Sequence, residues 1–122
     1  MHSDRIGKCF NDIIAAIDLI RRWVSEAGGL EAAIHHNELV RSAIERQLLV
    51  ISEAAIRLDS LDVTCAPTLA PTIDWPGIRG IGNFIRHKYD ELDTAIIADA
   101  IANRLMELRS AAEKALKQLP RE

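Results

Sequence analysis

The sequence predicts an all-α protein, an up-and-down helical bundle of four main helices plus a short helical segment. Three observations predict it. Apolar residues recur at alternating steps of four and three over most of the 122 positions, the period of a helix with one buried stripe. Helix breakers cluster in only three places: Gly28-Gly29, the Pro67–Pro71 region and the Trp75–Gly82 region. The apolar content, 48% of the chain with aromatics at only 4%, must come from Ile, Leu and Ala, and Ala and Leu are strong helix formers.

The first helix opens near Ser3, which can cap it, with Asp4 in its first turn. Its stripe is Ile6, Phe10, Ile13, Ile17, Ile20 and Val24, while Arg5, Lys8, Asp12, Asp18, Arg21 and Arg22 fall largely off it. Gly28-Gly29 ends it, because glycine accepts the left-handed conformation of a helix C-cap. Leu30 to His36 reads as a connecting turn or short helical segment. Asn37 is a natural N-cap for the second long helix, with the stripe Val40, Ile44, Leu48, Ile51, Ala55 and Leu58, fading near Ser60.

Asp62 to Trp75 carries Pro67 and Pro71 among several threonines and is expected to lack regular helix. Pro76 suits the first turn of the third main helix, where its missing amide hydrogen would have no helical partner anyway. Ile78, Ile81, Ile85 and Tyr89 then repeat at helical spacing. Gly77, Gly80 and Gly82 interrupt this helix at about 1 kcal/mol each relative to alanine. Either another backbone approaches closely there or the helix packs tightly. Asp93 or Thr94 caps the last helix, whose stripe is Ile97, Ile101, Leu105, Leu108, Ala112 and Leu116. With no internal repeat, residues 1–122 read as a single domain.

The net charge of −3 and pI of about 5.8 produce no global field that would draw in nucleic acid, so any such contact must be local. Cys9 and Cys65 have no metal-type spacing, and Cys9 falls on an apolar stripe, which suits buried reduced thiols. His35 and His36 are adjacent, so on a helix they diverge by about 100° and form no i, i+4 metal pair. No metal and no cofactor is expected. No signal-peptide pattern opens the chain and no apolar run approaches the roughly 20 residues of a membrane span, so a cytoplasmic protein with no membrane contact is expected.

Reactive groups are densest between Arg79 and Tyr89, where Arg79, Asn83, Arg86, His87, Lys88 and Tyr89 fall close together. An unperturbed histidine titrates near neutrality and can pass a proton, as cleavage of a phosphodiester requires. An arginine fork matches a phosphate and stabilises charge as it develops there. The run Gly77 to Gly82 lacks the Gly-Lys-Ser/Thr ending of a phosphate loop.

The segment Asn83-Phe84-Ile85-Arg86-His87-Lys88-Tyr89 resembles the motif of HEPN-superfamily proteins of the HepT-like kind. In these a helix carries arginine, a polar residue, three further residues, histidine, one residue and tyrosine. Asn83, His87 and Tyr89 keep that register, and Asp90, Glu91 and Asp93 follow as in the family. Trp75-Pro76 resembles, in reversed order, the entry to the same helix. The likeness extends over nearly the whole chain. One position departs: Gly82 stands where the family has its arginine. Arg86, about 100° around the helix from His87, and Arg79, about 80° away and roughly 12 Å along the axis, are the arginines that could stand in.

The resemblance implies a metal-independent endoribonuclease toxin with a site at a homodimer cleft. RNA would be cut by attack of its own 2′-hydroxyl, with His87, Arg86, Asn83 and Arg79 as site residues. It implies a minimal nucleotidyltransferase as antitoxin partner and Tyr89 as the residue that this partner modifies with AMP. A core tyrosine with its hydroxyl bonded at the helix end is the alternative for Tyr89. Because Gly82 departs from the family, a catalytically weak subunit that binds and supports the nucleotidyltransferase is the alternative for the protein.

Overall fold

The computed structural model describes residues 2–86 and 91–120. Seven helices occur among them, with no strand: α1 (His2–Ala27), α2 (Leu30–His35), α3 (Glu38–Leu61), α4 (Cys65–Leu69), α5 (Trp75–Arg86), α6 (Glu91–Asn103) and α7 (Leu105–Gln118). The all-α bundle is as expected. Its four main members are α1, α3, α5 and the α6–α7 pair, with α2 as the short connecting segment.

Local chemistry sets most of the boundaries. Gly28 and Gly29 both have positive φ, 101° and 125°. The Gly29 N–H donates to the Val24 carbonyl at 2.9 Å and the Gly28 N–H to the Ser25 carbonyl at 3.1 Å. Those paired bonds close α1 with a Schellman motif that L-residues with a β-carbon rarely adopt. Asn37 caps α3: its side-chain oxygen accepts from the Val40 N–H at 3.0 Å.

Three expectations are corrected. Ser3 is the second residue of α1 rather than the residue before it. The stretch after α3 is not wholly irregular, because Cys65–Leu69 forms one short helix. Pro67 is the third residue of α4, where its missing N–H has no helical acceptor to lose, and Pro71 follows the helix. The last helix is two: it bends at Arg104 (φ −121°, ψ −32°), and Asp93 and Thr94 lie inside α6 rather than capping it. Thr94 is buried.

The stripes read from the sequence converge on one core. α1 lies along α3, α3 carries α5, and α7 returns along α1. Phe10, Ile13, Ile17, Leu48, Ile51 and Leu108 are fully enclosed. Phe10 meets Trp75 edge to face at 6.2 Å between centroids, and the Trp75 indole N–H donates to the Ala70 carbonyl at 3.1 Å. This tryptophan therefore anchors the start of α5 both in the core and on the chain leaving α4. Asp18 of α1 receives two hydrogen bonds from Arg109 of α7, at 2.7 and 3.0 Å, and fixes that pair of helices.

Both cysteines are free and buried. Burial raises both thiols above their ordinary pKa, although Arg57 pulls in the opposite direction on Cys9. Among the described residues no helix is long and apolar enough to cross a membrane.

Candidate active site

The start of α5 is fixed by its own sequence. Asp74 precedes the helix and accepts from the Gly77 N–H at 3.1 Å, and Pro76 occupies the first turn. Ile78, Ile81 and Ile85 bury the inner face. That placement leaves Arg79, Asn83 and Arg86 within an arc of about 60° on the outer side, at about 100° per residue. Asn83 and Arg86 are exposed and Arg79 is half-buried.

The packing of α5 on α3 is set by Ser52 and Gly82. Ser52 is buried, donates its hydroxyl to the Arg79 carbonyl at 2.7 Å and accepts from the Gly82 N–H at 3.2 Å. A β-carbon at position 82 would lie only 2.7 Å from the Ser52 Oγ and 3.3 Å from its Cβ. Glycine is therefore needed at this position for tight helix packing against a side chain, not for approach of another backbone. The Arg86 side chain folds back over the same spot, with Nη1 3.1 Å from where that β-carbon would sit.

Each arginine faces a carboxylate of α3. Arg86 Nη2 is 3.7 Å from Glu53 Oε2, and Arg79 Nη1 is 3.9 Å from Asp59 Oδ1. These residue pairs run in opposite order along the two chains, so α3 and α5 are antiparallel. Both separations exceed hydrogen-bond length, so the guanidinium forks are steered by the carboxylates without being filled by them. Asn83 lies between the two arginines along the same side of α5.

The structure thus brings Arg79, Asn83 and Arg86 together. His87 and Tyr89, with Lys88 and Asp90, lie outside the described residues. Ser52, Glu53 and Asp59 of α3 escaped the sequence reading. Ser52 carried a signal: it lies four residues after Leu48 and three before Ala55, so it is a polar residue on the buried face of α3. Glu53 and Asp59 look like any solvated helix acids until α5 is packed beside them.

The other flank of α5 borders a cleft of about 450 Å³ lined by Ile81, Phe84, Ile96, Asp74, Asp99 and Arg104 among others. None of Arg79, Asn83 and Arg86 lines it. The Arg104 guanidinium spans it, 3.7 Å from Asp74 and 3.9 Å from Asp99. His35 and His36 both lie near Glu31, at 3.9 and 3.8 Å. Among the described residues no group of three or more histidine, cysteine or acidic side chains is placed to hold a metal ion.

Comparison with known proteins agrees with the motif. A family model described as "Ribonuclease HepT-like" matches residues 13–115, well over half of the chain. No curated protein and no solved structure matches it significantly.

Proposed function

The chain belongs to the HepT-like ribonuclease family, and on that premise we propose that it is a metal-independent endoribonuclease toxin of a HEPN/minimal-nucleotidyltransferase pair. The observation that carries this reading is the outer arc of half-buried Arg79 and exposed Asn83 and Arg86 on the helix whose sequence continues into His87.

In the proposed reaction the 2′-hydroxyl of one ribose attacks the adjacent phosphorus. His87 takes the hydroxyl proton, the 2′-oxygen bonds to phosphorus, and the 5′-oxygen of the next nucleotide leaves and is protonated. The products are a 2′,3′-cyclic phosphate and a 5′-hydroxyl. Arg86, with Arg79 behind it, stabilises the charge that grows on the phosphoryl oxygens, where a preorganised cation contributes most. Asn83 orients the phosphate or the ribose by hydrogen bonding. The protein works in the cytoplasm as a homodimer whose two motifs face each other across a cleft. The partner nucleotidyltransferase acts as antitoxin by adding AMP to Tyr89, because negative charge beside the cations repels RNA.

The test is His87→Ala. Purified variant should lose at least about 100-fold in RNA cleavage, the usual contribution of a general acid or base, and cells expressing it should escape growth arrest. A variant as toxic and as active as the native protein would remove the nuclease reading.

Gly82 favours a second reading, a non-catalytic subunit that binds and supports the nucleotidyltransferase. It predicts a protein that cleaves no RNA yet forms a stable complex with that enzyme.

A further inference from the structure

An arginine side chain has many rotamers, with about 2 kcal/mol of rotamer entropy, and one on an exposed helix face samples them widely unless its surroundings restrict it. Arg86 is exposed, yet its guanidinium lies between two fixed features. On one side is the bare backbone of Gly82, with Nη1 3.1 Å from the place a β-carbon would occupy. On the other is Glu53 of α3, whose Oε2 is 3.7 Å from Nη2.

The backbone at Glu53 is well anchored. It adjoins Ser52, whose buried hydroxyl bonds both the Arg79 carbonyl and the Gly82 N–H, at 2.7 and 3.2 Å. Those bonds fix the register of α3 against α5 one residue away from Glu53 and one helical turn away from Arg86. The Glu53 carboxylate, itself 42% exposed, is thereby carried to the face of α3 beside Arg86 and lies 3.7 Å from its Nη2. It attracts one edge of a five-donor fork without a hydrogen bond and leaves the N–H groups for another acceptor.

We propose that Glu53 is a positioning residue for Arg86: it holds the guanidinium over Gly82 so that the free edge of the fork meets the scissile phosphate. This rests on the ribonuclease reading above, which does not assign Glu53. The geometry also accounts for Gly82. A β-carbon there would crowd the Arg86 Nη1, 3.1 Å away, as well as striking Ser52.

The proposal makes two electrostatic consequences oppose each other. Removing a carboxylate from a surface that binds a polyanion strengthens or leaves unchanged the binding of RNA. Removing the support for an arginine that acts in the transition state slows the chemical step. A simple repulsive role for Glu53 gives the first effect without the second, and a role in folding alone gives neither selectively.

The experiment compares native protein with Glu53→Ala and Glu53→Gln, each checked by thermal melting. Two readouts are used: steady-state cleavage of a single-stranded RNA, and NMR relaxation of the Arg86 Nε–Hε bond without RNA. Expected are a kcat at least about 10-fold lower in Glu53→Ala with KM unchanged or lower, and loss of order at the Arg86 Nε–Hε bond. Glu53→Gln, which keeps the length and loses the charge, should lie between native protein and Glu53→Ala in kcat and in Arg86 order. Unchanged turnover in Glu53→Ala overturns the proposal, whether or not Arg86 loses order. Unchanged Arg86 order overturns it too. Those criteria apply to a native protein that cleaves RNA; if it cleaves none, the ribonuclease reading fails, and the Arg86 order alone then decides whether Glu53 holds the guanidinium.

Discussion

The hydroxyl of Ser52 occupies the space in which a side chain at Gly82 would begin: a β-carbon there would sit 2.7 Å from the Ser52 Oγ. The two residues are 30 positions apart, and their hydrogen bond joins α3 to α5. Gly82 is thus a packing position of the α3–α5 interface as well as the position where the family motif has arginine.

Gly82→Ala is expected to destabilise the protein. Alanine in place of an open helical glycine stabilises by about 1 kcal/mol, but overpacking a fitted contact costs about 1–3 kcal/mol. Gly80 is the control, since nothing lies within 4 Å of a β-carbon there. Gly80→Ala should raise the melting temperature and Gly82→Ala should lower it. In a Ser52→Gly background the loss at position 82 should shrink, giving a coupling of about 1 kcal/mol or more in a double-mutant cycle. An arginine at 82 begins with the same β-carbon, so Gly82→Arg must also be tested with Ser52→Gly.

Arg86→Ala and Arg79→Ala should differ in their effect on RNA cleavage. Arg86 is exposed beside Glu53, whereas Arg79 is half-buried and turned towards Asp59. Loss of Arg86 should lower kcat/KM by about 100-fold or more, the scale of one preorganised transition-state donor. Loss of Arg79 should cost less than about 10-fold, as expected of a more distant cation. Steady-state kinetics on one RNA substrate decide the order, and equal effects would mean that the two cations act as one unit.

The Asp18–Arg109 pair predicts an acid-sensitive contribution to stability. The hydrogen bonds from Arg109 hold the Asp18 carboxyl below its ordinary pKa of 3.8. A depressed carboxyl pKa stabilises the fold fully above the ordinary value, and the gain is lost as pH falls through the lower, folded value. Because Asp18 is about half exposed, with 47% of its side-chain surface accessible, the contribution should be under about 1 kcal/mol and weaken with salt. Asp18→Asn should melt slightly below native protein at pH 6, and the two melting temperatures should converge as pH falls through the depressed folded pKa of Asp18, below its ordinary 3.8.

Much of the fold was legible in the sequence because its causes are local. The Gly28-Gly29 stop, the Asn37 cap and the four-three stripes of α1 and α3 are properties of a few neighbouring residues, and the structure uses each of them as read. Where local cues competed, the reading failed. Pro67 looked like a breaker but fits the first turn of α4, and nothing in the Ile97–Leu116 stripe announced the bend at Arg104. On the candidate site, periodicity placed Asn83 and the two arginines on α5, and the motif resemblance selected that segment.

What the sequence alone determined was the helical class, most helix ends, the buried stripes and the family motif with its departure at Gly82. Those follow from hydrogen bonding and side-chain spacing within one helix. Only the tertiary structure decided what Gly82 does. The antiparallel packing of α3 on α5 puts Ser52 against Gly82 and Glu53 beside Arg86, from positions some 30 residues away in the chain. A contact of that kind depends on how two buried faces settle against each other, and no local spacing encodes it.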